Sequence, residues 1–194
     1  MRTLPAVKTA RRALIVGCAT ALALALAACG HKSSHPTVAG ANNNGAYLYA
    51  GAVTYQLQIS RELNPYNVED RAYLAGVRSP PLLPSQEWYA VFLWAKNQTG
   101  SPQRTSDSFD IVDTQGTRYY PIPINSLVNS FAWTARTLLP KGTEPEVSSM
   151  ASYGPTQGGE VLFKINDSAY ANRPLTLEIH AAGQPTPSMI SLDL

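Results

Sequence analysis

Histidine is the residue most enzymes lean on for proton transfer, and this chain has three: His31, His35 and His180. Hydrolysis by a serine or cysteine nucleophile needs such a base within hydrogen-bond reach. Only His180 lies in sequence that reads as folded. It alternates out of phase with Leu175, Leu177 and Ile179, so it is expected at the surface beside Glu178. There is no Gly-x-Ser-x-Gly elbow to present a serine. His31 and His35 have the spacing of a helical chelate, but Pro36 and a run of Asn and Gly follow them, and zinc would want further ligands close by. Asp107, Asp110 and Asp113 suggest calcium, which takes several oxygens. In an extended segment Asp110 points away from the other two, so the three do not converge. Gly158-Gly159 lacks the lysine and the spacing of a phosphate-cradling loop. The residues predict no catalytic set, no cofactor and no metal.

The informative chemistry is at a cysteine. Residues 1 to 12 carry Arg2, Lys8, Arg11 and Arg12 and no acid, and an apolar run follows from Ala13 to Ala28. As a helix that run would span roughly 24 Å, short of the ~30 Å hydrocarbon core of a bilayer. A basic head, a short apolar middle and small residues at its end are the marks of a secretory signal. Leu26-Ala27-Ala28-Cys29 resembles the lipobox of bacterial lipoproteins. The resemblance implies a diacylglyceryl group on the Cys29 thiol and cleavage between Ala28 and Cys29. The alternative is an ordinary secretory signal cut at an Ala-x-Ala site. Cys18 would leave with residues 1–28, and no disulfide would be possible afterwards.

Removing that segment changes the charge reading. Fifteen basic and thirteen acidic residues become eleven and thirteen, a net of −2 from Cys29 onward. No basic cluster remains to bind nucleic acid. Residues 29–46 are the lipidated cysteine and a flexible tether, since small and polar residues dominate from Gly30 to Ala46.

From residue 47 the periodicity becomes that of strands. Val53, Tyr55, Leu57 and Ile59 alternate with Thr54, Gln56, Gln58 and Ser60, which predicts a strand with one face in water. Residues 88–95 are apolar on both faces, as in a central strand. Residues 108–122 read as a hairpin around Asp113-Thr114-Gln115-Gly116. Val161 to Ile165 and Leu175 to Ile179 give two more strands, and 146–152 a weaker one. That makes about seven strands in an all-β, immunoglobulin-like antiparallel sandwich over residues 47–182, with a C-terminal tail at 183–194.

Two insertions interrupt the strands. In 61–86, Asn67 reads as an N-cap with Glu69 and Asp70 in the first turn and Gly76 as a stop, predicting a short helix over 68–75. Tyr73 and Leu74 on it could cap the sandwich or present a contact surface. The insertion 123–145 holds Phe131-Ala132-Trp133. Loop aromatics at the end of a sandwich can anchor a partner, which makes Phe131 and Trp133 candidate partner-binding residues; the favoured reading packs both rings as a lid on the core, because exposed aromatics are uncommon on monomers.

The order of these features resembles the immunoglobulin-like domain of unknown function found in bacterial, especially actinobacterial, lipoproteins. The matching pieces are "YAVFLWAKNQTGSP", "FDIVDTQGTRYYPI", "LLPKGTEPE", "GEVLFKI" and "RPLTLEI". The resemblance implies the fold and a position outside the cell membrane, and it brings no activity. The expected function is a lipid-anchored, extracytoplasmic, non-catalytic module that binds an envelope protein or a wall component. An accessory subunit of a membrane complex is the second reading. An enzyme, the third, has no residue set to carry it.

Overall fold

Strand β4 (Gln86–Asn97) shows how the molecule is layered, because it is buried on both sides. Tyr89, Val91, Leu93 and Ala95 face one hydrophobic core, and Trp88, Ala90 and Phe92 face another. The computed structural model describes residues 38–39 and 45–192. The expected signal peptide 1–28, with its cleavage position at Ala28 and Cys29, lies outside the described residues, as do His31 and His35.

β4 pairs antiparallel with β3 (Val53–Leu63) and with β10 (Gly159–Asn166). With β2 (Tyr47–Ala50) at the edge, the sheet runs β10-β4-β3-β2, and the short β9 (Thr143–Glu144) also joins β4. The second sheet runs β1-β12-β11-β6-β7. Its members are β1 (Val38–Ala39), β12 (Ser188–Leu192), β11 (Leu175–His180), β6 (Ser108–Val112) and β7 (Arg118–Tyr119). A separate two-strand ribbon pairs β5 (Gln103–Arg104) with β8 (Thr137–Leu138). The main core lies between the two sheets, where Tyr55, Leu57, Tyr89, Leu93 and Phe163 meet Phe109, Ile111, Leu177, Ile179 and Ile190. The protein is therefore an all-β sandwich, as its alternation predicts.

The local signals behave as expected in two places. Asn67 caps the helix α1 (Val68–Tyr73) by accepting from the Glu69 amide at 2.8 Å. Asp113 Oδ1 accepts from the amides of Gln115 (2.9 Å) and Thr117 (2.8 Å), closing the β6–β7 hairpin. Gly116 supplies the positive φ of +83° that this turn requires.

Four expectations are corrected. The segment 183–194 is not a tail, because Ser188–Leu192 alternates and buries Ile190 and Leu192 as strand β12. The tether does not run to residue 46, because Val38–Ala39 pairs in parallel with Met189 and Ile190. Residues 146–152 do not form a strand; Ser149 instead precedes the one-turn helix α2 (Met150–Tyr153), which buries Ala151. Ile59 does not share a face with Leu57. A bulge at Gln58 shifts the register, so Ile59 turns to the outer side and packs there with Leu63.

Candidate functional site

That outer side of the β10-β4-β3-β2 sheet is where the two insertions meet. Leu63, Trp88, Ala90, Phe92 and Leu162 form an apolar floor. α1 brings Tyr73 onto it, the loop after β7 brings Phe131, and α2 brings Ala151. Tyr73 packs edge-on to Phe92 at 5.1 Å and lies 4.7 Å from the Phe131 ring. Its hydroxyl accepts from the Thr156 amide at 3.0 Å. The helix therefore caps the sandwich through Tyr73, which is 1% exposed.

Polar groups tie this roof to the floor. Asn129 Nδ2 donates to the Tyr73 carbonyl at 2.5 Å and to Glu160 Oε2 at 3.3 Å, while its Oδ1 accepts from the Phe131 amide at 2.8 Å. One amide side chain thus joins both insertions to β10. Arg61 on β3 bonds Asp70 of α1 at 2.8 Å and lies over the Tyr73 ring. Glu160 sits beneath this roof, and its Oε1 meets no hydrogen-bond partner among the described residues. Burial pushes its carboxyl up to about 8; Asn129 and the nearby Arg61 pull it down, and Asp70 adds to the rise. A carboxyl in that range is largely protonated at neutral pH, which is how it tolerates an apolar setting.

The two aromatics singled out in the sequence are held by this layer. Phe131 is 9% exposed and belongs to the apolar floor and roof. Trp133 donates from Nε1 to the Ser106 carbonyl at 2.9 Å and packs against Tyr55 and Phe109. Its backbone amide bonds the Glu160 carbonyl at 2.8 Å, extending the edge of β10. Gly159 lies under the indole so closely that a Cβ there would sit 2.8 Å from Cε3. Phe131 is thus buried in the packed arrangement, whereas Trp133 packs against the core and stays partly exposed. Trp133 still lines a groove of about 280 Å³ with Phe109, Pro121, Ile122, Ile124 and Leu162. The groove lies at the β10 edge, which is bridged at Phe163 by Pro121 and at Glu160 by Ala132.

The polar chemistry suspected in the sequence is distributed differently. Asp107 is exposed and pairs with Arg104 at 3.3 Å. Asp113 holds its turn and accepts from Asn172 Nδ2 at 3.2 Å. Asp110 points to the outer face of the other sheet, where it meets His180 and Arg118. His180 is half-exposed beside Glu178, as the alternation predicts. Glu178 and Asp110 are buried, which the alternation does not predict. The signal for that pairing was the placement of two acids on one face of facing strands, and it needs the register to be seen.

A third polar group lies at one end of the roofed sheet. Tyr170 bridges Glu62 and Glu87, at 2.9 Å from the latter. Burial and the neighbouring Glu62 and Asp167 charges raise the Glu87 carboxyl, against the pull of the Tyr170 hydrogen bond.

No family model matches the chain, and no curated protein matches it. Solved structures with a related arrangement include the YjhA protein of Bacillus subtilis, at 11% identity and a TM-score of 0.48 over 81% of this chain and 99% of that one. An uncharacterized β-sandwich protein from Clostridium difficile gives 9% identity and a TM-score of 0.44 over 84% and 99%. YcdA of B. subtilis, a proposed lipoprotein, gives 11% and 0.44 over 73% of this chain and 36% of that one.

Proposed function

We propose that this protein is a bacterial lipoprotein of the immunoglobulin-like, actinobacterial type, held outside the cell membrane by lipid on Cys29. In this reading it is a non-catalytic module that binds another protein of the envelope. The lipobox-like Leu26-Ala27-Ala28-Cys29, after a basic head and a short apolar run, supports the anchor. The observation that carries the binding role is the roofed edge of β10. A sandwich core does not require two insertions, yet here they close the outer face and leave the groove beside Trp133. A pre-formed apolar recess with a few polar groups nearby is the usual form of a binding site.

The test is photo-crosslinking in cells from Ile124 in the groove and from Thr176 on the opposite sheet. The reading expects one membrane-associated protein captured from Ile124 and not from Thr176. Equal or absent capture at the two positions overturns it. Cys29→Ala is expected to move the protein out of the membrane fraction, and its retention there would remove the anchor from the account.

A further inference from the structure

The outer face of the β1-β12-β11-β6-β7 sheet carries chemistry that the binding role leaves unused. Asp110 on β6 and Glu178 on β11 are register partners, directly opposite each other. His180 is two residues along β11 and shares their face. One ligand atom from each of Asp110, Glu178 and His180 falls within 4.8 Å of the other two. Arg118 of β7 lies between the carboxylates, with Nη1 bonded to Asp110 and 2.8 Å from Glu178 Oε2. His180 Nε2 bonds Asp110 and is 3.8 Å from Glu178 Oε2.

We propose that Asp110, Glu178 and His180 form a divalent-cation site suited to Zn²⁺, with Arg118 as the counter-ion of the metal-free protein. The first argument is charge. Both carboxylates are more than nine-tenths buried, and like charges facing each other across strands repel. Among the described residues Arg118 is the lysine or arginine that pairs with them, so two buried carboxylates share one guanidinium. Buried charge of one sign calls for compensation. The second argument is the donor set. Two carboxylate oxygens and one imidazole nitrogen are ordinary zinc ligands at about 2.0–2.2 Å, and a water completes four. The third is mechanical. The carboxylates stand on paired neighbouring strands, whereas His180 and Arg118 have side chains 39% and 42% exposed. The imidazole can turn onto an ion, and the guanidinium can swing into solvent, without backbone movement.

The test uses the full chain with Cys18→Ser, Cys29→Ser, His31→Ala and His35→Ala, which removes the other soft ligands. Calorimetric titration with ZnCl₂ is expected to give one ion per chain. Asp110→Asn and His180→Ala are expected to weaken binding by about tenfold or more. Arg118→Gln is the discriminating variant. It removes a competing cation, so the site expects tighter zinc binding even as the metal-free protein loses stability. A purely structural ion-pair network predicts only that loss. The absence of one-to-one binding in the parent chain overturns the proposal without reference to any variant. Unchanged or weaker affinity in a folded Arg118→Gln protein overturns it as well.

Discussion

The outer faces of the two sheets have the same strand periodicity and opposite fates. On the sheet containing β11, the outward positions are Thr176, Glu178 and His180, and charged groups from three strands settle their own accounts there. On the sheet containing β4, the outward positions are Trp88, Ala90 and Phe92, and two insertions must cover them. Alternation fixes where side chains point, but not whether the outward set meets water. That second choice is made by residues far away in sequence: Tyr73, Phe131 and Ala151. A strand that is apolar on both faces is thus a demand for a third layer, and here loops and short helices answer it.

If the roof is a true second core, damage beneath it should resemble damage to any core. Phe92→Ala is expected to cost about 3–5 kcal/mol, because the ring is fully buried and packed edge-on against Tyr73. Chemical denaturation monitored by far-UV circular dichroism measures this. A loss below about 1 kcal/mol would mean that the roof is loosely applied.

Glu160 sharpens the contrast with Glu178, since both are buried carboxyls but only Glu178 bonds an arginine. In the folded chain Glu160 keeps its proton up to about 8, whereas the unfolded chain releases it near 4.5. The unfolded state therefore binds fewer protons between those values, and stability falls as pH rises through that window. The contribution is fully present below the lower value and is lost as pH climbs past the upper one. Its slope is on the order of 1 kcal/mol per pH unit. Glu160→Gln is expected to flatten the dependence and to raise the melting temperature at pH 8. Melting curves at half-unit steps from pH 5 to 9 read both effects.

Asn129→Ala removes the link between the insertions and is expected to cost about 2 kcal/mol, leaving the Tyr73 carbonyl and the Phe131 amide without it. Hydrogen exchange should quicken in α1 and around Phe131 while β11 and β12 remain protected. On the polar face, Asp107→Asn breaks an exposed pair with Arg104 and should change stability by less than about 0.5 kcal/mol. The same denaturation assay suffices for it.

The sandwich was legible because period-two alternation in β3, β10 and β11 is strong, and because Asn67 and the Asp113–Gly116 turn carry their own local chemistry. The bulge at Gln58 was not legible, since a bulge depends on how two strands pair rather than on either strand alone. β12 is hard to read from the sequence because Ser-Met-Ile-Ser-Leu is short and follows a proline-containing stretch. The roof was half legible. The all-apolar run 88–95 announced a covered face, but the partners of Phe131 and Trp133 come from β3, β6 and α1. The Asp110–Glu178 pairing likewise required the β6–β11 register, in which each acid is unremarkable until the other is placed opposite.

The pairing of Val38–Ala39 with β12 shortens the leash. With lipid on Cys29, the domain would hang from the eight residues 30–37 rather than from the seventeen residues 30–46, and eight fully stretched residues reach roughly 28 Å. The first strand among the described residues would then double as a mooring cleat. A hand-over to a partner deeper in the envelope would first have to peel that strand away, exchanging two backbone pairings for about twice the range.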